Sequence, residues 1–172
     1  MTTNYSMAAL NNMSVDEFTA ALGAIYEHSP WVARRAAAQR PFADLGVLRD
    51  TMAGVVRSAT EAERLKLIQA HPELAGQAAV RGELTEESTR EQKGAGLDLC
   101  NADEYDRLHT LNRRYNEKFG FPFVVAVKGH DRHSILALFA ARLENAPADE
   151  ARECIDQIVK IGGFRLAATV AC

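Results

Sequence analysis

Three stretches of the chain hold side chains whose types and spacing suit proton transfer, polar recognition or metal binding. The first is His71-Pro72-Glu73-Leu74-Ala75-Gly76, which stands where a helical pattern stops. Pro72 disfavours the α region for the residue before it, so His71 is expected at a helix end or just past it. A helix C-terminus favours an imidazolium, and histidine is the side chain best poised to move protons near neutral pH. The same position also suits a capping or surface histidine. The second stretch is Ser88-Thr89-Arg90-Glu91-Gln92. Ser88, Glu91 and Gln92 stand at i, i+3 and i+4, so one helix face offers a hydroxyl, a carboxylate and an amide together. That set suits a polar planar ligand with a ureido group; a solvated charged face has the same composition. The third is His130-Asp131-Arg132-His133, with His109 elsewhere in the chain, which raises a metal site. No HExxH or cysteine pair accompanies it and Arg132 would repel a cation, so no metal ligand is assigned. Gly94-Ala95-Gly96 lacks the third glycine and the preceding strand of a phosphate loop, and no GxSxG elbow occurs.

Helices must position these groups. Ser14 to Glu17 fits a capping box, with Phe18, Leu22 and Ile25 following at helical spacing. Ser29-Pro30-Trp31 restarts the chain with proline in a first turn. Leu45, Leu48, Met52 and Val55/Val56 form the next buried stripe. Thr60 to Glu63 is a second capping box, continued by Leu65 and Ile68 and leading to His71. Thr85 with Glu86 and Glu87 starts the helix that carries Ser88 to Gln92, fading near Gly94 or Gly96. Asn101 caps a long helix through Leu108, Leu111 and Tyr115, ended by Gly120 in a left-handed conformation. His133 or Ser134 is expected to open another, and Pro147 the last, with Ile155, Ile158 and Val159 apolar. Gly162-Gly163 reads as a weak point there, each glycine costing about 1 kcal/mol against alanine.

Phe121-Pro122-Phe123-Val124-Val125-Ala126-Val127 breaks the pattern. Its aromatic and β-branched residues read as extended, yet no second strand is evident to pair with it. Its backbone groups must then meet side chains, water or a ligand. The expected fold is therefore all-α: a single-domain helical bundle over 1–172 with one unpaired extended segment near 121–127.

The chain has 172 residues, 47% of them hydrophobic, which fits one domain with a sizeable core. A net charge of −3 argues against nucleic acid or an anionic membrane as the main partner. Cys100, Cys154 and Cys172 form no CxxC pair and are odd in number, which fits a reducing cytoplasm. Met1 to Asn12 lacks a basic region followed by an apolar run, no stretch reads as membrane-spanning, and Thr169 to Cys172 is not a peroxisomal address.

Taken in order, Ser29-Pro30-Trp31-Val32, His71-Pro72-Glu73-Leu74-Ala75, Ser88-Thr89-Arg90-Glu91-Gln92, Tyr115 to Phe123 and Arg165-Leu166 resemble the OHCU decarboxylase family, OHCU being 2-oxo-4-hydroxy-4-carboxy-5-ureidoimidazoline. The resemblance covers nearly the whole chain. The blocks at His71–Ala75 and Lys118–Phe123 are specific together, although neither would suffice alone. It implies an all-α homodimer without cofactor or metal that converts this small-molecule intermediate of uric acid breakdown to (S)-allantoin. By the same resemblance His71, Glu91 and Arg165 are the catalytic residues, Arg165 gripping the substrate. Pro72, Ser88, Thr89, Arg90, Glu91 and Gln92, with the backbone of Phe123, Val124, Val125, Ala126 and Val127, correspond to the substrate-binding shell. The sequence departs from the family at Gly162-Gly163, where bulkier residues are usual. The implied chemistry needs no cofactor because the ring is its own electron sink. Two rivals come from other classes: a helical module that binds a ureide without turnover, and a metal hydrolase built on His130 and His133.

Overall fold

Helix-start signals in the sequence become hydrogen bonds in the computed structural model, which describes residues 4–171. Met1 to Thr3 and Cys172, and with them part of the terminal and cysteine readings above, lie outside the described residues. Two units form, one from residues 4–70 and 155–171, the other from 71–154.

The first unit begins with α1 (Met7–Asn12), α2 (Val15–Leu22) and α3 (Trp31–Ala37), followed by α4 (Leu45–Ser58) and α5 (Glu61–Gln69). Ser14 and Thr60 make reciprocal capping boxes with Glu17 and Glu63, so α2 and α5 each satisfy two orphan donors at their first turn. Phe18, Leu22, Val32, Leu48, Met52, Val56, Leu67 and Ile68 are buried and form the unit's core. The expected stripe on α5 changes at one of its two residues: Leu67, not Leu65, joins Ile68 inside, and Leu65 stays 41% exposed. The unit closes with the later turns of α10 (Pro147–Thr169), which bury Ile158 and Leu166. Beyond them Val170 makes an isolated parallel bridge to Tyr5.

The second unit holds α6 (Gln77–Arg81), α7 (Glu86–Gly94), a 3-10 turn (Leu97–Leu99), α8 (Ala102–Phe119), α9 (Arg132–Arg142) and the first turns of α10. Asn101 boxes with Glu104 to start α8, and Gly120, at φ 75°, ends it in the left-handed region where a side chain would be strained. The start of α9 differs from expectation by about a turn's half. Asp131 caps it, bonding Ser134 in both directions, so the helix begins at Arg132 rather than at His133 or Ser134. Residues 121–127 are buried throughout and form no strand. An aromatic cluster surrounds them: Phe123 stacks on Phe139 at 3.9 Å, and Tyr115 meets both rings edge-on at 5.5 and 5.6 Å. Among the described residues there is no sheet, and no helix is long and apolar enough to cross a membrane. The all-α expectation with an extended segment holds.

Candidate active site

His71 follows the cap residue of α5, Ala70, and is 7% exposed, so the imidazole is neither a frayed cap nor a surface group. The loop after it is held by two neighbouring helices. Gln92, buried on α7, accepts a hydrogen bond from the Ala75 N–H at 2.9 Å and donates to the Glu73 carbonyl at 3.3 Å. From α8, Asn112 donates to the Leu74 carbonyl at 3.0 Å, and Asn116 donates to the Glu73 carboxylate at 2.5 Å. These contacts hold Ala75 at φ 49°, a left-handed conformation that costs a non-glycine residue about 1–2 kcal/mol. Gly76 lacks a Cβ that would lie 2.8 Å from the Glu73 Cβ, so the loop can turn back tightly only with glycine there. Strain of this kind persists where the surroundings over-determine it.

The loop and α7 are the two motifs singled out in the sequence, and Gln92 joins them directly. Of the α7 group, Ser88 and Gln92 are buried and Glu91 is half-buried. The Thr89 hydroxyl donates back to the Thr85 carbonyl at 2.9 Å, and Arg90 is exposed. Pro72 is half-buried beside His71.

The segment 123–127 lies in the same unit. Its Val124 carbonyl accepts from Arg142 Nη1 at 2.7 Å, and the Val127 carbonyl accepts from the His130 N–H at 2.9 Å. Arg142 in turn pairs with Glu150 at 2.6 Å, inside the protein. Tyr115 and Asn145 donate to the same carboxylate. Burial pushes the Tyr115 phenol and the Cys154 thiol upward, so both stay neutral.

Arg165 belongs to the first unit, on α10, and is 7% exposed. Its Nη1 donates to Glu27 Oε2 at 2.8 Å, and Glu27 itself is 2% exposed. Glu27 lies in the turn between α2 and α3, where Ser29 Oγ donates to its backbone carbonyl at 2.8 Å. The Gly162 half of the Gly162-Gly163 departure has a steric cause. A Cβ on Gly162 would stand 2.7 Å from Cζ of Tyr26, whose buried phenol is pushed up to about 12 by desolvation, with Arg57 acting against it. The helix runs unbroken through both glycines to Thr169, so Arg165 keeps helical register.

The remaining histidines are placed otherwise. His109 is exposed, His130 Nδ1 lies 3.2 Å from Ser134 Oγ, and His133 Nδ1 lies 3.6 Å from the Glu104 carboxylate that Arg132 also holds. No group of three or more His, Cys, Asp or Glu side chains suited to a metal gathers among the described residues.

Sequence reasoning missed Glu27, Asn112, and the Arg142–Glu150 pair. A lone carboxylate in the apolar run Ile25-Tyr26-Glu27 was the available signal for the first. Nothing in the spacing marked the others, since charged and amide residues on helices are ordinarily solvated.

The backbone matches the crystal structure of (S)-allantoin synthase with a TM-score of 0.76 at 27% identity, over 96% of this chain and 54% of that one. It also matches that of OHCU decarboxylase in the presence of (S)-allantoin, with a TM-score of 0.66 at 20% identity, which speaks to the fold alone. The class defined by the backbone is therefore the all-helical fold that these two structures share. Residues 11–167 match the family model described as OHCU decarboxylase, and the chain belongs to that family. It is 39% identical over 162 residues to the 2-oxo-4-hydroxy-4-carboxy-5-ureidoimidazoline decarboxylase of Haloferax volcanii, covering 94% of both chains. It is 39% identical over 163 residues to the uric acid degradation bifunctional protein PucL of Bacillus subtilis, of which it spans only 32%.

Proposed function

We infer that the chain decarboxylates OHCU to (S)-allantoin in uric acid degradation. The observation that carries this is the collinear match, at 39% identity over 94% of each chain, to a relative named for that activity. The bond between the ring carbon and its carboxylate breaks, CO2 leaves, and the electron pair enters the conjugated ring. A proton delivered to one face of the carbon that becomes the stereocentre then gives a single enantiomer. The ring holds the electrons itself, so the protein's tasks are orientation, charge placement and that proton.

Three side chains carry these tasks. His71, buried and held by a strained loop, exchanges a proton with the substrate hydroxyl or the developing carbanion. Arg165 binds an anionic oxygen, its planar fork already oriented by Glu27. Glu91 orients and charges His71 or crowds the departing carboxylate. Pro72, Ser88 to Gln92 and the backbone of 123–127 line the ligand. We further propose that 1–172 works as one decarboxylase domain, as a homodimer and in the cytoplasm. Cys100 and Cys154, both free thiols, suit that reducing setting.

A turnover assay on substrate freshly made by uricase and its partner hydrolase, with and without prior chelation, tests the reading. The expected result is acceleration unchanged by chelator. Binding without acceleration would leave a ureide-binding module. Activity lost to chelator and restored by zinc would favour a hydrolase on His130 and His133.

A further inference from the structure

The second unit contains an ion pair that no step above uses. Arg142 is 5% exposed and Glu150 0%. Arg142 Nε donates to Glu150 Oε1 at 2.7 Å and Nη2 lies 2.6 Å from the same oxygen. Three other polar groups surround the pair: the Tyr115 hydroxyl donates to Oε1, Asn145 Nδ2 donates to Oε2 at 2.9 Å, and the Cys154 Sγ lies 4.0 Å from Oε1 and 3.4 Å from Arg142 Nη2. One arm of the guanidinium then remains, and it reaches the extended segment. Nη1 donates to the Val124 carbonyl at 2.7 Å, while Cζ lies 4.3 Å from the centroid of the Phe123 ring. That ring is fixed on its own account by stacking on Phe139.

A charge pair this deep is a poor way to gain stability, because desolvation of both ions offsets their attraction, and apolar residues of similar volume commonly do as well. What apolar residues cannot supply is a donor aimed at one chosen carbonyl. Residues 121–127 have no sheet to set the facing of their peptide planes. In a trans peptide the C=O and the following N–H point in opposite directions. Turning the Val124 carbonyl toward Arg142 therefore directs the Val125 N–H to the opposite side of the chain.

We propose that Arg142, locked by Glu150, is the positioning residue of the substrate-binding segment, fixing the Val124–Val125 peptide plane so that the Val125 amide is presented to an acceptor on a ureidoimidazoline ring. This rests on the reading of 123–127 as part of the substrate shell. Specificity for a ring with carbonyl acceptors then depends on a side chain that never touches the ligand.

The test uses the full chain, (S)-allantoin as the binding probe, and two variants. The double variant Arg142→Met with Glu150→Gln removes both charges at once, so no unpaired ion is left buried, and keeps one acceptor oxygen, which can stay opposite Tyr115. Arg142→Lys keeps the charge but not the planar fork that reaches carboxylate and carbonyl together. In the parent protein, saturating (S)-allantoin should shift the Val125 amide resonance. In the folded double variant that shift should vanish and KM should rise about tenfold, the loss of roughly one ligand hydrogen bond, with kcat within about threefold. Arg142→Lys should raise KM in the same direction, and it decides the matter alone if the double variant does not fold. A folded variant with parental KM, or with a loss confined to kcat, would overturn the proposal while leaving the binding role of the segment intact. A parent protein whose 123–127 amides ignore the ligand would overturn the binding role itself, and the proposal with it.

Discussion

At the scale of single residues, burial decides what His71 and Arg165 can do. Both are 7% exposed, so each meets its partners in a medium where charge is worth more than in water. The Glu27 carboxylate gives Arg165 a buried counter-ion at 2.8 Å. His71→Asn keeps size and polarity but cannot cycle a proton. It should fold normally and lose about 10²–10⁴-fold in activity, the usual worth of a general acid/base. A folded variant of near-parental rate and stereoselectivity would remove His71 from the chemistry. Glu91→Gln and Arg165→Lys should fail differently. Gln retains reach but not charge, so the loss should fall mainly on kcat. Lys retains charge but neither the fork nor its geometry toward Glu27, so the loss should appear first in KM. Steady-state kinetics on both, with circular dichroism to confirm folding, separates the two; unchanged kcat in the first and unchanged KM in the second would clear both residues from the site.

At the scale of elements, local signals gave the helix starts and tertiary contacts gave the exceptions. Ser14, Thr60 and Asn101 were legible as caps because each is a short side chain three residues ahead of a glutamate, and the bond needs nothing distant. Asp131 was passed over because its partner at the third position is Ser134, which resembles a cap itself. The short α1 and α6, of 6 and 5 residues, carry too few turns to show an apolar period. The extended segment was readable from its β-branched run, but its anchor was not. Arg142 and Glu150 belong to different helices and look like surface charges until the fold buries them. Gly162-Gly163 illustrates the same limit. Propensity alone treats the two glycines alike, whereas a Cβ on Gly162 would stand 2.7 Å from the Tyr26 ring and one on Gly163 3.5 Å from the flexible Arg49 stem. Gly163→Ala should therefore stabilise the fold by up to about 1 kcal/mol of helix propensity and raise the melting temperature. Gly162→Ala should lower it, since overpacking against a buried ring costs about 1–3 kcal/mol and outweighs that gain. Thermal unfolding of the two variants, if they shifted together, would refute the steric explanation.

At the scale of the whole molecule, family membership rests on a match over residues 11–167, and the remaining questions concern assembly and turnover. The proposed homodimer should sediment as a single species of twice the chain mass at micromolar concentration; a monomer there would count against it. The most direct test of the central claim is the chirality of the product. OHCU decays by itself to racemic allantoin, so a rate alone does not distinguish catalysis from drift. Substrate should be generated in situ and the optical activity of allantoin followed as protein is added. The expected result is a signal of the (S) enantiomer whose initial rate rises in proportion to protein concentration. Allantoin that forms no faster than without protein, or that remains racemic at every protein concentration, would contradict it.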